Sequence, residues 1–325
     1  MVLQNQLSSS SSKHEFEPAD GQDAPGDPSE KILALINTDL QFLIPLLRKF
    51  PKCYWVWNHR LWILQQSTIL LSDVTALRLW REELGLVNKM LSLDGRNFHG
   101  WGYRRTVVAA LEGNGQIHSD SGTKAAVGRS LAEEELTYTT KMIGTDLSNF
   151  SAWHNRSKLI PRVLDEQGAD AETRRKSLDD GMQRARFSPP AYNINMTPEL
   201  ALIKEALYTD PYDQSLWFYH SYLMCTFDPR LAKGSIAPNL TDDCRLTYVV
   251  QALETMQDLR ECAEDCKWVY QALLQYTTLE HFLKKEPLTA VRSRLAEWLE
   301  ELRRLDPLRE GRWTDLRKTL GLEWT

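Results

Sequence analysis

A chain of 325 residues with a net charge of −5, 26% charged side chains and a mean hydropathy of −0.43 can bury one extended core or two. The acidic balance argues against a nucleic-acid or anionic-membrane footprint, and the absence of any run of 18 apolar residues argues against a spanning helix or a stable membrane anchor. Five scattered cysteines (Cys53, Cys225, Cys244, Cys262, Cys266) do not make a disulfide scaffold, and no basic-then-apolar leader opens the chain, so a reduced, cytoplasmic protein is expected.

Residues 1–29 hold five consecutive serines (Ser8–Ser12) and then "EPADGQDAPGDPSE", with little to bury. A disordered Ser-rich tail is expected there, and a helical-hairpin repeat domain over 30–325. From Lys31 onward Leu33, Leu35, Ile36, Leu40, Leu43, Leu47 and Phe50 recur at three- and four-residue spacing, one apolar face of a helix. "NGQIHSDSG", "DEQGAD" and "RFSPPAYNINMTP" read as connections between helices, and no convincing alternating strand occurs.

The eleven tryptophans then set a register. "CYWVWNHR", "NFHGWGYR", "NFSAWHNR" and "DQSLWFYH" align on Trp57, Trp101, Trp153 and Trp217, which are 44, 52 and 64 residues apart. Four residues before each stand Cys53, Asn97, Asn149 and Asp213; three before, Tyr54, Phe98, Phe150 and Gln214; three after, Arg60, Arg104, Arg156 and His220. Asn97, Asn149 and Asp213 are good N-cap residues. Upstream of each lies another amphipathic helix, marked by Leu77, Trp80, Leu84, Val87 and Leu91, then by Leu131, Glu135, Tyr138 and Met142, then by Leu200, Ile203 and Leu207. Each unit is therefore a helical hairpin, with motifs near 51–64, 97–108, 149–160 and 212–224. A degenerate fifth at 264–274 is anchored on Trp268, and "AVRSRLAEWLEELRRLDPLREGRWTDLRKTL" closes the array. Hairpins of this kind bury their faces by stacking side by side into a solenoid.

The spacing does not fit a 34-residue tetratricopeptide period. Instead "PKCYWVWNHRLWIL", "DGRNFHGWGYRR", "DLSNFSAWHNR" and "DPYDQSLWFYH" resemble successive repeats of the protein prenyltransferase α-subunit family. "RNFHGWGYRR", "QSLWFYH" and "LDPLREGRW" are most similar to its type II branch in the short fungal form, and the resemblance covers Lys31 to Trp324. It implies an all-α, right-handed α-α superhelix that is inactive without a separate β subunit. It further implies transfer of geranylgeranyl from geranylgeranyl diphosphate to C-terminal cysteines of Rab GTPases, presented by a Rab escort protein. Family members carry a further repeat ahead of "PKxY"; here the Ser-rich segment fills that space, so a first hairpin is expected to be missing.

Prenyl transfer needs a thiolate, which zinc supplies by lowering the thiol pKa. No zinc-ligand set stands at ligand spacing; Cys262 and Cys266 read as helix-face cysteines one turn apart, and the resemblance places the zinc on the β subunit. What such a chain can add is positive charge toward the departing diphosphate. Lys52 matches the family position whose lysine approaches that group, the bland alternative being a solvated lysine at a helix start, where a cation is disfavoured. His99 matches a position at the same mouth, and Arg104 and Arg105 join it as substrate-binding candidates. Arg60, Arg104 and Arg156 have a second reading, in which they stack on aromatics or bond to acids and carbonyls of adjacent hairpins. Tyr54, Trp57, Phe98, Trp101, Phe150, Trp153 and Trp217 are expected to pack, some of them at the β interface, and His220 to be structural. Two alternatives stay open: the α subunit shared by farnesyltransferase and type I geranylgeranyltransferase, acting on CaaX proteins, and a repeat scaffold without catalysis. A nucleic-acid-binding solenoid is disfavoured by the acidic charge.

Overall fold

The computed structural model describes residues 27–114, 130–179 and 198–322, and among these every regular element is helical. The chain divides after Leu131 into two compact units. The first contains α1 (Pro28–Lys49), α2 (Tyr54–Leu70), α3 (Asp73–Leu93) and α4 (Phe98–Asn114). The second contains α5 (Ala132–Thr145), α6 (Phe150–Glu166), α7 (Ala171–Leu178), α8 (Glu199–Thr209), α9 (Gln214–Met224), α10 (Asp242–Cys262), α11 (Lys267–Lys284), α12 (Arg292–Leu305) and α13 (Glu310–Thr319). In the first unit α1 pairs with α2 and α3 with α4, while α2 lies against both α3 and α4. In the second, α5–α6, α8–α9 and α10–α11 are hairpins, α9 also packs on α6, and α12 packs on α11 and α13.

Helix boundaries follow local chemistry that apolar periodicity does not report. α1 begins at Pro28, ahead of Lys31, because Asp27 caps it by accepting the Ser29 N–H at 3.1 Å and proline suits the first turn. Residues 1–26, with Ser8–Ser12, lie outside the described residues, as do "NGQIHSDSG" beyond Asn114 and "RFSPPAYNINMTP" up to Thr197. "DEQGAD" carries the end of α6 and Gly168, whose φ of 61° favours glycine. The closing amphipathic segment comprises two helices, α12 and α13, since Pro307 cannot continue α12.

The tryptophan of each repeat is buried, and its indole N–H has a fixed task. Trp57 donates to Pro51 O at 2.8 Å, Trp101 to Gly95 O at 2.8 Å, Trp153 to Leu147 O at 2.7 Å and Trp217 to Pro211 O at 2.7 Å. Each acceptor stands six residues upstream, in the joint between the two helices. The large ring thus fills the hairpin core while its one polar atom satisfies a carbonyl that the turn leaves open. In the fifth hairpin that place belongs to Tyr270, which bonds Glu264 O at 2.9 Å, and not to half-buried Trp268. The anchor read from the sequence is therefore displaced by two residues.

Joints of successive hairpins are also tied together. Asn97 caps α4 by accepting the Gly100 N–H at 3.1 Å and donates its amide to Pro51 O at 2.8 Å, the carbonyl that Trp57 already holds. Cys266 repeats the second contact, its thiol reaching Pro211 O at 3.0 Å. Asn149 and Asp213 cap α6 and α9 through Ala152 N–H and Ser215 N–H.

A buried carboxylate links neighbouring hairpins at their centre. Arg60 of α2 forks onto Glu83 of α3 at 2.7 and 2.6 Å, and Tyr103 of α4 donates to the same carboxylate at 2.7 Å. Arg156 of α6 forks onto Glu199 of α8 at 2.8 and 2.5 Å, and Tyr219 of α9 donates to it at 2.5 Å. Both glutamates stand eighteen residues before the tryptophan of their own hairpin, and both tyrosines two after it. Burial opposes the Arg60 and Arg156 charges, but the facing carboxylates outweigh it and both guanidinium pKa values are raised. Burial first, and then the carboxylate, pushes Tyr103 and Tyr219 well above the ordinary phenol range, so both remain donors.

His220 stands in the arginine position of its repeat and has a different partner, the Tyr276 hydroxyl at 2.8 Å. Burial pushes its pKa down to about 4, so the ring is neutral, which fits a structural role. Above pH 6.5 the ring is uncharged in folded and unfolded chains alike. As pH falls from 6.5 towards 4 only the unfolded chain takes up the proton, and stability drops over that window by up to about 3 kcal/mol. Thermal unfolding at pH 7 and pH 4.5 should show His220→Gln losing this part of the acid sensitivity. Trp153→Phe, which keeps an aromatic ring but deletes the donor to Leu147 O, should cost about 1–3 kcal/mol in denaturant unfolding.

Candidate functional site

With Trp57, Trp101, Trp153 and Trp217 and with Arg60, Arg104 and Arg156 committed to the core, exposed aromatic and charged groups gather where the second helix of a hairpin begins. In the first unit Lys52 lies in the joint before α2 with its side chain 73% exposed, its ammonium 3.5 Å from Asp94 in the joint before α4. Tyr54 stacks near His99 at 6.4 Å between ring centroids and contacts Trp55 at 4.5 Å, and Phe98 meets His99 edge-on at 5.8 Å. Lys52, Asp94, Tyr54 and His99 thus share one surface. Asn97 holds the backbone of both joints in register beneath it.

The second unit carries a comparable row. Phe150 meets Phe218 at 5.8 Å, Phe218 meets Trp268 at 6.2 Å, and the Lys267 ammonium and Arg309 guanidinium lie 5.2 and 6.0 Å from the Trp268 ring. Asp306 holds the two cations in place, 3.2 Å from Lys267 and 3.7 Å from Arg309. The rings therefore present apolar faces flanked by fixed positive charge, an arrangement suited to a partner surface that is apolar with acidic groups.

Several sequence expectations change here. Tyr54, Phe98 and Phe150 do not pack in the hairpin cores; they are 45%, 72% and 48% exposed, while Trp57, Trp101, Trp153 and Trp217 are buried. Three residues before the tryptophan is a position on the first turn that clears the neighbouring hairpin. Arg104 is buried, with its guanidinium on the Asn88 amide oxygen, so it is placed for packing rather than for contact with a substrate, whereas Arg105 is on the surface. Arg60 and Arg156 follow the reading in which they bond acids of adjacent hairpins.

Cys262 and Cys266 do not share a helix face: Cys262 ends α10, and Cys266 sits in the N-cap place of α11 across a joint. Among the described residues no three His, Cys, Asp or Glu side chains converge as metal donors, and no helix is long and apolar enough to cross a membrane. Cys262 is exposed, whereas Cys266 is buried and burial raises its pKa. Native-state alkylation with iodoacetamide should therefore label Cys262 quickly and Cys266 only upon unfolding.

The protein prenyltransferase alpha subunit repeat profile matches residues 36–67, 80–111, 132–163 and 197–227. The geranylgeranyl transferase type-2 subunit alpha of Candida albicans is 33% identical over 291 residues, covering 86% of this chain and 72% of that protein. The Saccharomyces cerevisiae protein of the same name is 31% identical, covering 89% and 75%. The human one is 34% identical over 215 residues, which cover 66% of this chain and 31% of that protein. A solved structure, Candida albicans protein geranylgeranyltransferase-I complexed with GGPP, shares the fold with a TM-score of 0.52 at 19% identity, covering 88% of this chain and 72% of that one. The matched repeats contain the hairpins whose buried tryptophans and arginines are described above, and the chain belongs to the protein prenyltransferase α-subunit family, among its type-2 geranylgeranyltransferase α subunits.

Proposed function

We propose that this chain pairs with a type II prenyltransferase β subunit, and that the pair transfers geranylgeranyl from geranylgeranyl diphosphate to C-terminal cysteines of Rab GTPases held by an escort protein. The observation that carries this reading is the grouping of exposed Lys52 and Tyr54 with half-buried His99, on a frame whose repeat tryptophans and whose Arg60, Arg104 and Arg156 are buried. A long, unburied lysine beside rings in two tied joints is placed to meet an anion delivered by a partner, and the energetic cost of fixing its backbone is already met by the fold.

In the transfer the cysteine thiolate attacks C1 of the prenyl chain, the new C–S bond forms, and the C–O bond to diphosphate breaks with its electron pair leaving on oxygen. Zinc on the β subunit would supply the thiolate. This chain supplies charge toward the leaving group through Lys52, with His99 against the nearby Tyr54 ring, and Arg105 is exposed further along α4. The exposed rings, Tyr54 and Phe98 in one unit and Phe150 and Phe218 in the other, would contact the β subunit.

Co-expression with β subunits of one type at a time, followed by co-purification and a prenyl-transfer assay on a Rab–escort complex, tests the pairing. A stable, active pair with the type II β is expected. Pairing only with a CaaX-type β, or with none, would overturn it, the latter in favour of a scaffold. Within the active pair, Lys52→Ala should lower single-turnover transfer about 10- to 100-fold while the heterodimer still assembles; unchanged turnover would remove Lys52 from the mechanism.

A further inference from the structure

The backbones on either side of the Lys52–Asp94 pair are fixed. Pro51 O, in the residue before Lys52, accepts both the Trp57 indole N–H and the Asn97 amide at 2.8 Å. Asp94 is held by its own N–H on Met90 O and by the Asn97 N–H on its carbonyl, each at 3.1 Å. What stays free is side-chain rotation: the lysine is 73% and the aspartate 32% exposed, with 3.5 Å between ammonium and carboxylate. A pair this exposed adds little to stability. Its electrostatic effect on a third charge is larger, because a carboxylate at that distance cancels much of the field an ammonium presents to an incoming anion.

We propose that Asp94 is a positioning and charge-balancing residue for Lys52, holding the lysine near the diphosphate position while weakening its grip on the anion, so that product diphosphate is released. This rests on the reading that Lys52 faces the diphosphate. Asp94 competes with the anion for one ammonium: when the diphosphate arrives, Lys52 turns from the carboxylate to it, and when transfer is complete the carboxylate takes the lysine back. A partner fixed in the neighbouring joint, not a residue on the same turn as Lys52, gives the lysine two defined positions rather than a solvated spread.

The test uses the α–β heterodimer and inorganic pyrophosphate as an inhibitor competitive with the prenyl diphosphate. Asp94→Asn keeps the side-chain shape and removes the charge, and should tighten pyrophosphate inhibition about three- to tenfold at low salt, with a smaller effect at high salt. Lys52→Ala should weaken inhibition, and adding Asp94→Asn to Lys52→Ala should then change nothing further. A role for Asp94 in folding alone would not tighten anion binding. Unchanged or weaker inhibition in Asp94→Asn, or the same tightening without Lys52, overturns the proposal while leaving Lys52 in place. Pyrophosphate inhibition indifferent to Lys52→Ala overturns both this proposal and the reading beneath it.

Discussion

One carboxylate buried between two hairpins fixes how they meet, once within each unit. Glu83 and Glu199 each accept a two-pronged guanidinium from the preceding repeat and a phenol from their own. An isolated carboxylate in such a place would be protonated or would unfold the site; with three donors converging on it, it is tolerated only at one relative placement of the hairpins. Apolar faces alone would let the hairpins slide along one another, since burial is nearly indifferent to register. The directional contacts remove that freedom, and the raised arginine pKa values show that attraction prevails over burial.

The surface follows from this register. Once the glutamates fix the hairpins, the tryptophan indoles close the joints and Asn97 ties one joint to the next through Pro51 O. The positions three before each tryptophan are then left on the outside, and Tyr54, Phe98 and Phe150 fill them. Lys52 is brought to Asp94 and His99 to Tyr54 by the same ties. A cationic and aromatic surface is thus a by-product of how the core is locked, and a partner binding there meets groups whose backbones need no further ordering.

Much of this was legible in the sequence, for physical reasons that differ by residue. The tryptophan register was, because a buried indole six residues past an open carbonyl demands constant spacing. The asparagine caps were, because their chemistry is local. Glu83 and Glu199 do not stand out in the sequence: a lone acid in an amphipathic helix reads as part of its solvated face, and only a shared offset of eighteen residues from Trp101 and Trp217 marks them. Tyr103 and Tyr219 carry a similar signal at two residues past the tryptophan. Cys262 and Cys266 read as one helix because "ECAEDCKW" has no glycine or proline to mark its joint, and Trp268 at its end draws attention from Tyr270. The exposed aromatics read, together with the tryptophans, as packing residues with some at the β interface, because apolar character alone does not tell which of them belong to the core and which to an interface.

A double-mutant cycle between Arg60 and Glu83, using Arg60→Met and Glu83→Gln with denaturant unfolding, measures the lock itself. Each single change leaves a buried partner unsatisfied and should cost about 3–5 kcal/mol. The double variant should cost far less than the sum, giving a coupling of roughly 2 kcal/mol or more. Strict additivity would contradict the account, because it would mean that the hairpins hold their register by apolar contact alone.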